Sequence, residues 1–452
     1  MIGTIAMAMA LASAAGEPTV AAPAVTTISL PFSASEESQG GLVAADVDAD
    51  GAMDLVVTRP GALAAVRVDG TMLWVREADI VVGGSSEAEG LPGHHGPGVQ
   101  AGDIDGDGSA EVVFLTRDGV LHVCSGATGE DRWTARPPVP NGAERWEHAI
   151  VCCLRGVGDR DILLQATNQD GYRMGRYLAA YSAEGLREGE APLWTLDDFP
   201  ACAHNGARVA DLDGDGRDEV LSAAIVGPDG AMLCHPPIRG HVDSVFVDDV
   251  RPDLPGLEVV LLEEGGEDGN RVFLLSRDRV IWEAHCDHQE PQNAAIGRFD
   301  GERPGAQVWC RSRYDTHQRP FVFDSDGTLI RQYAMDDVAP EGWTEKGVEV
   351  IHTITWSGER QLACAKERHE SGEICLFDPI SGQFLWWSEG ERADRLYVAD
   401  VLGDWREEMV VWSGSQLRIY ANPEPDPEPG HSRLWDEPRY RRSKMTWNYY
   451  SP

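Results

Sequence analysis

Asp46-Val-Asp48-Ala-Asp50-Gly51-Ala52-Met-Asp54, Asp103-Ile-Asp105-Gly-Asp107-Gly-Ser109-Ala-Glu111 and Asp211-Leu-Asp213-Gly-Asp215-Gly-Arg217-Asp-Glu219 are three copies of one acidic pattern, each preceded by a short apolar run. Carboxylates fall at positions 1, 3, 5 and 9, with glycine at position 6 for a sharp turn. Position 7 (Ala52, Ser109, Arg217) offers its backbone carbonyl whatever its side chain. Hard oxygen donors on a tight glycine turn suit Ca2+ better than a thiophilic metal, so each loop is expected to hold one calcium ion.

Working outward from these loops exposes weaker copies of the same unit: apolar strand, acidic or Gly/Pro turn, second apolar strand. The turns begin near Asp46, Asp103, Arg155, Asp211, Asp249, Arg298, Trp356 and Asp400, at spacings of 38 to 58 residues. That period fits a four-stranded propeller blade with variable loops. With 49 Gly, 27 Pro and no long helix-period segment, the chain is read as all-β, an eight-bladed β-propeller. Seven blades is the alternative if the third or seventh copy is incomplete, and the short fourth copy could lack its outer strand. Trp74, Trp133, Trp194, Trp282 and Trp386 follow their turns by a similar interval and are read as outer-strand aromatics packed between sheets. A strand around Val25–Phe32 is expected to close the ring by completing the last blade.

The chain has 452 residues and a net charge of −37, which argues against nucleic acid as a partner. Residues 2–15 are apolar and end in Ala12-Ser13-Ala14, a pattern cut by signal peptidase. The basic start of such a signal is missing, since Arg59 is the first cation. Residues 1–15 are therefore expected to be an export signal, 25–421 the propeller, 422–431 a Pro-rich linker and 432–452 a strap packed on the ring. The protein is expected to be secreted or periplasmic, monomeric and without a membrane span. Nine cysteines with no framework exclude a disulfide-built fold. Cys364 and Cys375 could face each other across a hairpin, and buried free thiols are the expected state.

Blade topology sorts the charges onto two faces. The acidic loops, with relatives at Asp249–Asp253 and Asp400–Arg406, lie on one. The other receives the turns with Arg59, Arg117, Tyr172, Arg173, Arg176, Arg311, Arg313 and Lys366, which predicts a cation-rich rim. His95, His148, His204, His241 and His288 precede or open inner strands on that same face. They are expected to converge at the channel mouth, a default location for an active site.

From about Ala201 to Ile419 the chain resembles polysaccharide lyase family 11, the rhamnogalacturonan lyases. The resemblance rests on Arg208-Val-Ala-Asp-Leu-Asp-Gly-Asp-Gly-Arg-Asp-Glu-Val220, on Gly240-His241-Val-Asp243 followed by Arg251–Val259, and on Gly403-Asp-Trp-Arg-Glu-Glu408 with Leu417–Tyr420. The chain reads Gly-His-Val-Asp where that family has Gly-His-Gly-Asp. The resemblance implies a calcium-containing eight-bladed propeller that cleaves an acidic polysaccharide by β-elimination.

Such chemistry needs a cation to neutralise the uronate carboxylate, a base for the C5 proton and a proton for the leaving oxygen. His241 and His204 lead as acid/base candidates, followed by His148, His95 and Tyr172. Arg173, Arg176, Arg311 and Arg313, with Asn205, are the substrate-binding candidates. Asp243 could orient the imidazole or ligate a Ca2+ that holds the substrate. A non-catalytic propeller binding carbohydrate or protein is the alternative. A hydrolase using Glu263, Glu264 or Asp170 is a third reading.

Overall fold

In the computed structural model, residues 20–35, 39–83, 95–168, 174–203, 205–265, 270–286, 290–312, 318–340, 343, 347–358, 360–367 and 371–445 are described. Eight four-stranded antiparallel sheets are arranged as the blades of a propeller. Their inner strands are Leu42–Ala45, Val99–Gly102, Ala143–Cys152, Arg208–Ala210, His241–Asp248, Ala294–Gly297, Val348–Ile354 and Arg395–Ala399. The turns expected from the repeat follow these strands in all eight blades, which removes the seven-bladed alternative. Crowding near the axis favours small side chains there: Leu42-Val-Ala-Ala45 and Val99-Gln-Ala-Gly102 are buried along their whole length.

Ala24–Ser29 pairs antiparallel with Gln416–Ala421, from Ala24 opposite Ala421 to Ser29 opposite Gln416. The first described strand therefore forms the outer edge of the last blade, and the ring closes with strands from both ends of the chain. The fourth blade has its outer strand, Met232–Cys234, next to a third strand of only two residues, Ile225–Val226. Its brevity reflects short strands rather than a missing one.

Position 9 of the turn has a backbone duty that extends beyond the acidic loops. Asp54 accepts the Val47 N–H at 3.0 Å, Glu111 that of Ile104 at 3.0 Å and Glu219 that of Leu212 at 2.9 Å. Asp161, Glu258, Gln307 and Glu408 do the same for Leu154, Arg251, Asp300 and Val401. Seven blades thus hold their turns with one buried side-chain acceptor, because the tight turn leaves an N–H with no strand partner.

Neighbouring blades are pinned by tryptophan. The Nε1–H of Trp74 donates to Gly126 O (2.6 Å), that of Trp194 to Pro228 O (2.8 Å) and that of Trp282 to Ser325 O (3.0 Å), each in the next blade. Each indole lies flat against a glycine with positive φ, respectively Gly129, Gly230 and Gly327. Trp386 instead packs against Tyr420 of the last blade, with ring centroids 5.7 Å apart.

The segment after the last strand crosses the face that carries the acidic loops and ends in a helix, Pro438–Met445. Asp400, at position 1 of the last turn, accepts the Leu434 N–H, and its carbonyl takes the Trp435 Nε1–H. Arg442 pairs with Asp159 (2.8 Å) and Asp218 (2.9 Å), Lys444 with Glu407 (2.8 Å), and Gln100 donates to Met445 O. With Arg439 also 3.5 Å from Asp248, the helix caps one end of the axial channel by ties to five blades. All nine cysteines are free thiols; Cys364 stands opposite Leu376, and Cys375 opposite Ala365. Among the described residues no helix is long and apolar enough to cross a membrane.

Candidate functional site

Among the described residues, the other end of the channel is built by the starts of the inner strands. In the fifth blade His241 stands opposite Glu264 and Val242 opposite Glu263, after which the register slips so that Ser244 faces Leu262. Asp243 is the extra residue of this bulge, and bulges re-aim side chains at the rims of sheets. The result brings His241, Asp243 and Glu264 together, with one donor atom of each within 4.8 Å of the others. His241 Nε2 lies 3.2 Å from Asp243 Oδ1 and 3.7 Å from Glu264 Oε2. The imidazole is the accessible member, at 21 % of its side-chain surface, while Asp243 is fully buried behind it.

Supports for this group come from the adjoining blades. Asn205, fully buried at the entry to the fourth blade, donates its amide to the Asp243 carbonyl. In the sixth blade Arg311 donates to Gln292 Oε1 (2.8 Å), and Gln292 Nε2 donates to Glu264 Oε2 (3.2 Å). Burial pushes the Glu264 carboxyl up, but hydrogen bonds with Asp243, Glu290 and Gln292, and the His241 charge, bring it below its ordinary value. Three carboxyl groups and an imidazole crowded into one partly desolvated spot suit a divalent cation with oxygen preference.

The other expected site residues fall out differently. His148 is buried and neutral, its imidazole pushed down to about 3 by burial, and its ring fills the space a side chain at Gly206 would need. That contact makes it a packing residue between the third and fourth blades. His95 sits in a left-handed conformation at the junction of the first two blades, its carbonyl against Gly41. Arg176 is an exposed surface residue paired with Asp198 at 2.6 Å. Arg311 is buried and reaches Glu264 through Gln292. Tyr172, Arg173, His204, His288 and Arg313, with Asp170, lie outside the described residues.

Among the described residues, the rim cations Arg59 and Arg117 have partners within the chain. Arg59 is spent on the Ser33 carbonyl, and Arg117 lies 3.6 Å from Asp79. Asp79 gives Arg117 a counter-charge and Ser33 gives Arg59 only a carbonyl acceptor, and sequence could not place either partner. Lys366 has a different setting. It is buried at the mouth end of the seventh blade, with its ammonium pushed down to about 8 by burial and by Arg392 and Arg395.

On the opposite face the three acidic loops each gather three acids within 4.8 Å: Asp46, Asp48 and Asp50; Asp103, Asp105 and Asp107; Asp211, Asp213 and Glu219. Asp46 Oδ1 and Asp54 Oδ1 are buried with no hydrogen-bond partner. Burial, followed by the like charges nearby, pushes Asp54 up to about 7, and burial followed by Asp105 does the same for Glu111. One arginine leans on each loop: Arg67 on Asp48 and Asp50, Arg132 on Asp105, Asp107 and Glu111, Arg277 on Asp213 and Glu219. Arg217, at position 7, folds its side chain onto Asp215. The acids outnumber the arginines, and buried oxygens without donors are what a hard cation would satisfy.

Residues 194–451 match the model of the C-terminal domain of rhamnogalacturonan lyase family 11, and residues 46–114 match an FG-GAP-like repeat. The chain is 27 % identical to rhamnogalacturonan endolyase YesW of Bacillus subtilis, over 91 % of this chain and 70 % of that protein. It is 26 % identical to rhamnogalacturonan exolyase YesX of the same organism, over 86 % and 71 %. The crystal structure of YesW superposes with a TM-score of 0.69 at 22 % identity, covering 95 % of this chain and 81 % of that one. A rhamnogalacturonan lyase of Bacillus licheniformis does so with a TM-score of 0.68 at 21 % identity and the same coverage.

Proposed function

The chain belongs to rhamnogalacturonan lyase family 11 and is a polysaccharide lyase, and on that premise we propose that it cleaves rhamnogalacturonan by β-elimination at the channel mouth around His241. The observation that carries this assignment is the convergence of His241, Asp243 and Glu264, a polar group whose imidazole is partly exposed.

In this reading Asp243 and Glu264 hold a Ca2+ ion, which when bound neutralises the uronate carboxylate and acidifies the C5 proton. The imidazole of His241, partly exposed and held through Nε2–H by Asp243 at 3.2 Å, accepts that proton on its other nitrogen, Nδ1. The C4–O bond then breaks, a C4–C5 double bond forms and the leaving oxygen takes a proton. Arg311 and Gln292 keep Glu264 in place. The three acidic loops are proposed as structural Ca2+ sites, with Asp54, Glu111 and Glu219 serving both ion and turn. Residues 2–15 are proposed as an export signal, consistent with a polymeric substrate outside the cell, and the protein is proposed to act as a monomer without nucleic acid.

The test is ultraviolet absorbance of the unsaturated uronate during incubation with rhamnogalacturonan, before and after chelation and after return of Ca2+. A rise that chelation abolishes and Ca2+ restores supports the reading. Binding of the polymer with no unsaturated product, in folded protein, would overturn it in favour of a carbohydrate-binding propeller, and new reducing ends without unsaturation would point to a hydrolase.

A further inference from the structure

Beneath the C-terminal helix, within the axial channel, lies a cavity of about 230 Å³. One water takes roughly 30 Å³ of liquid, so the space holds a cluster of waters or one molecule the size of a monosaccharide. Its lining includes Phe246, Ile296 and Ile351 as well as Arg208, His352 and Arg439.

Asp248, Glu407 and Glu437 also line the cavity, and the ion pairs around it leave one cation, Arg208, out. Arg442 has Asp159 and Asp218, Lys444 has Glu407, and Arg439 has Glu437 at 3.3 Å and Asp248 at 3.5 Å. Arg208 has no carboxylate partner among the described residues. It is 4 % exposed and donates only to two carbonyls, Nη1 to Val245 O at 2.8 Å and Nη2 to Ser443 O at 3.2 Å. A guanidinium has five N–H donors, so three remain. A buried, uncompensated charge of this kind is costly unless an anion meets it.

The second polar group is His352. Its Nε2 is buried without a hydrogen-bond partner, while the ring donates to the Leu396 backbone and burial keeps it neutral, pushed down to about 3. In that tautomer Nε2 is a bare acceptor suited to a hydroxyl.

We propose that this cavity binds a small hydroxylated carboxylate, the size of a single uronic acid, with its carboxylate on Arg208, a hydroxyl on His352 Nε2 and its C–H face against Phe246. The site is separate from the mouth. Because Ser443 shares Arg208 with the ligand, occupancy ties the C-terminal helix to the fourth blade.

Isothermal titration of the full chain with D-galacturonate tests this, using a Glu264→Gln background to remove binding at the mouth. Galacturonate should bind that variant, and adding Arg208→Gln should raise Kd at least tenfold. D-galactose and acetate, each lacking one of the two recognised groups, should bind at least tenfold more weakly than galacturonate. Arg208→Gln alone should leave lyase turnover within twofold. Absence of heat from the Glu264→Gln variant, equal affinity after Arg208→Gln, or galactose or acetate binding as tightly would overturn the proposal. If Arg208→Gln fails to melt cooperatively, His352→Phe removes the Nε2 acceptor while keeping the guanidinium. Loss of binding there supports the site, and retention overturns it.

Discussion

His241 and Glu264 face each other across the first hairpin of the fifth blade, with Nε2 3.7 Å from Oε2. The bulge at Asp243 tucks a buried second carboxylate between them. His241→Ala removes the proposed base and should lower turnover by about 10²- to 10⁴-fold. Glu264→Gln keeps the shape but removes charge, and should act mainly through a weakened response to Ca2+. Initial rates against Ca2+ concentration, with melting curves to verify folding, distinguish the two.

Stability should depend on pH in opposite senses with and without Ca2+. Asp54 and Glu111 are pushed up to about 7 without the ion, so between pH 4 and 7 the folded chain binds more protons than the unfolded one. The ion-free protein should therefore lose stability as pH rises through that window. Ca2+ needs the ionised carboxylates, so its stabilisation should be large at pH 8 and small at pH 5. Thermal melts at both pH values, with Ca2+ or chelator, give the sign directly.

Trp74 packs flat on Gly129 of the next blade. Trp74→Ala should cost about 3–5 kcal/mol through cavity formation. Gly129→Ala meets both a positive φ of 70° and a ring atom 2.6 Å from the new methyl, and should cost about 1–3 kcal/mol by overpacking. Denaturant unfolding of the two variants tests the staple.

Arg442 holds Asp159 and Asp218 together beneath the helix. Arg442→Met leaves two acids close together without their cation and should destabilise by about 3–5 kcal/mol. Adding Asp159→Asn and Asp218→Asn should restore most of that loss. Recovery in the triple variant, read by urea denaturation, would show that the single-variant loss comes from unpaired charge rather than lost packing.

Much of the ring was legible because each blade repeats its turn chemistry. The acidic pattern, the glycine at position 6 and the tryptophan interval recur in one order, and a strand that buries both faces leaves an apolar run that can be counted. The position-9 residues were legible only as ion ligands, since their bonds to Val47, Ile104 and Leu212 depend on how the turn folds back. Arg176 and Arg311 show the same limit. Their cationic character is plain in sequence, yet Asp198 and Gln292 decide whether that charge reaches a ligand.

The sequence by itself determined an all-β chain of repeated blades, with three acidic loops on one face and His241 with Asp243 on the other. Those follow from local periodicity and the alternation of side chains along a strand. The structure fixed the number of blades at eight. Only the tertiary structure decided that Glu264 stands against His241, that Arg208 is buried without a counter-charge among the described residues and that the C-terminal helix closes one end of the channel. Each depends on register or on contacts between distant parts of the chain. A one-residue bulge turns a side chain toward or away from its neighbours, and spacing along the chain does not encode it.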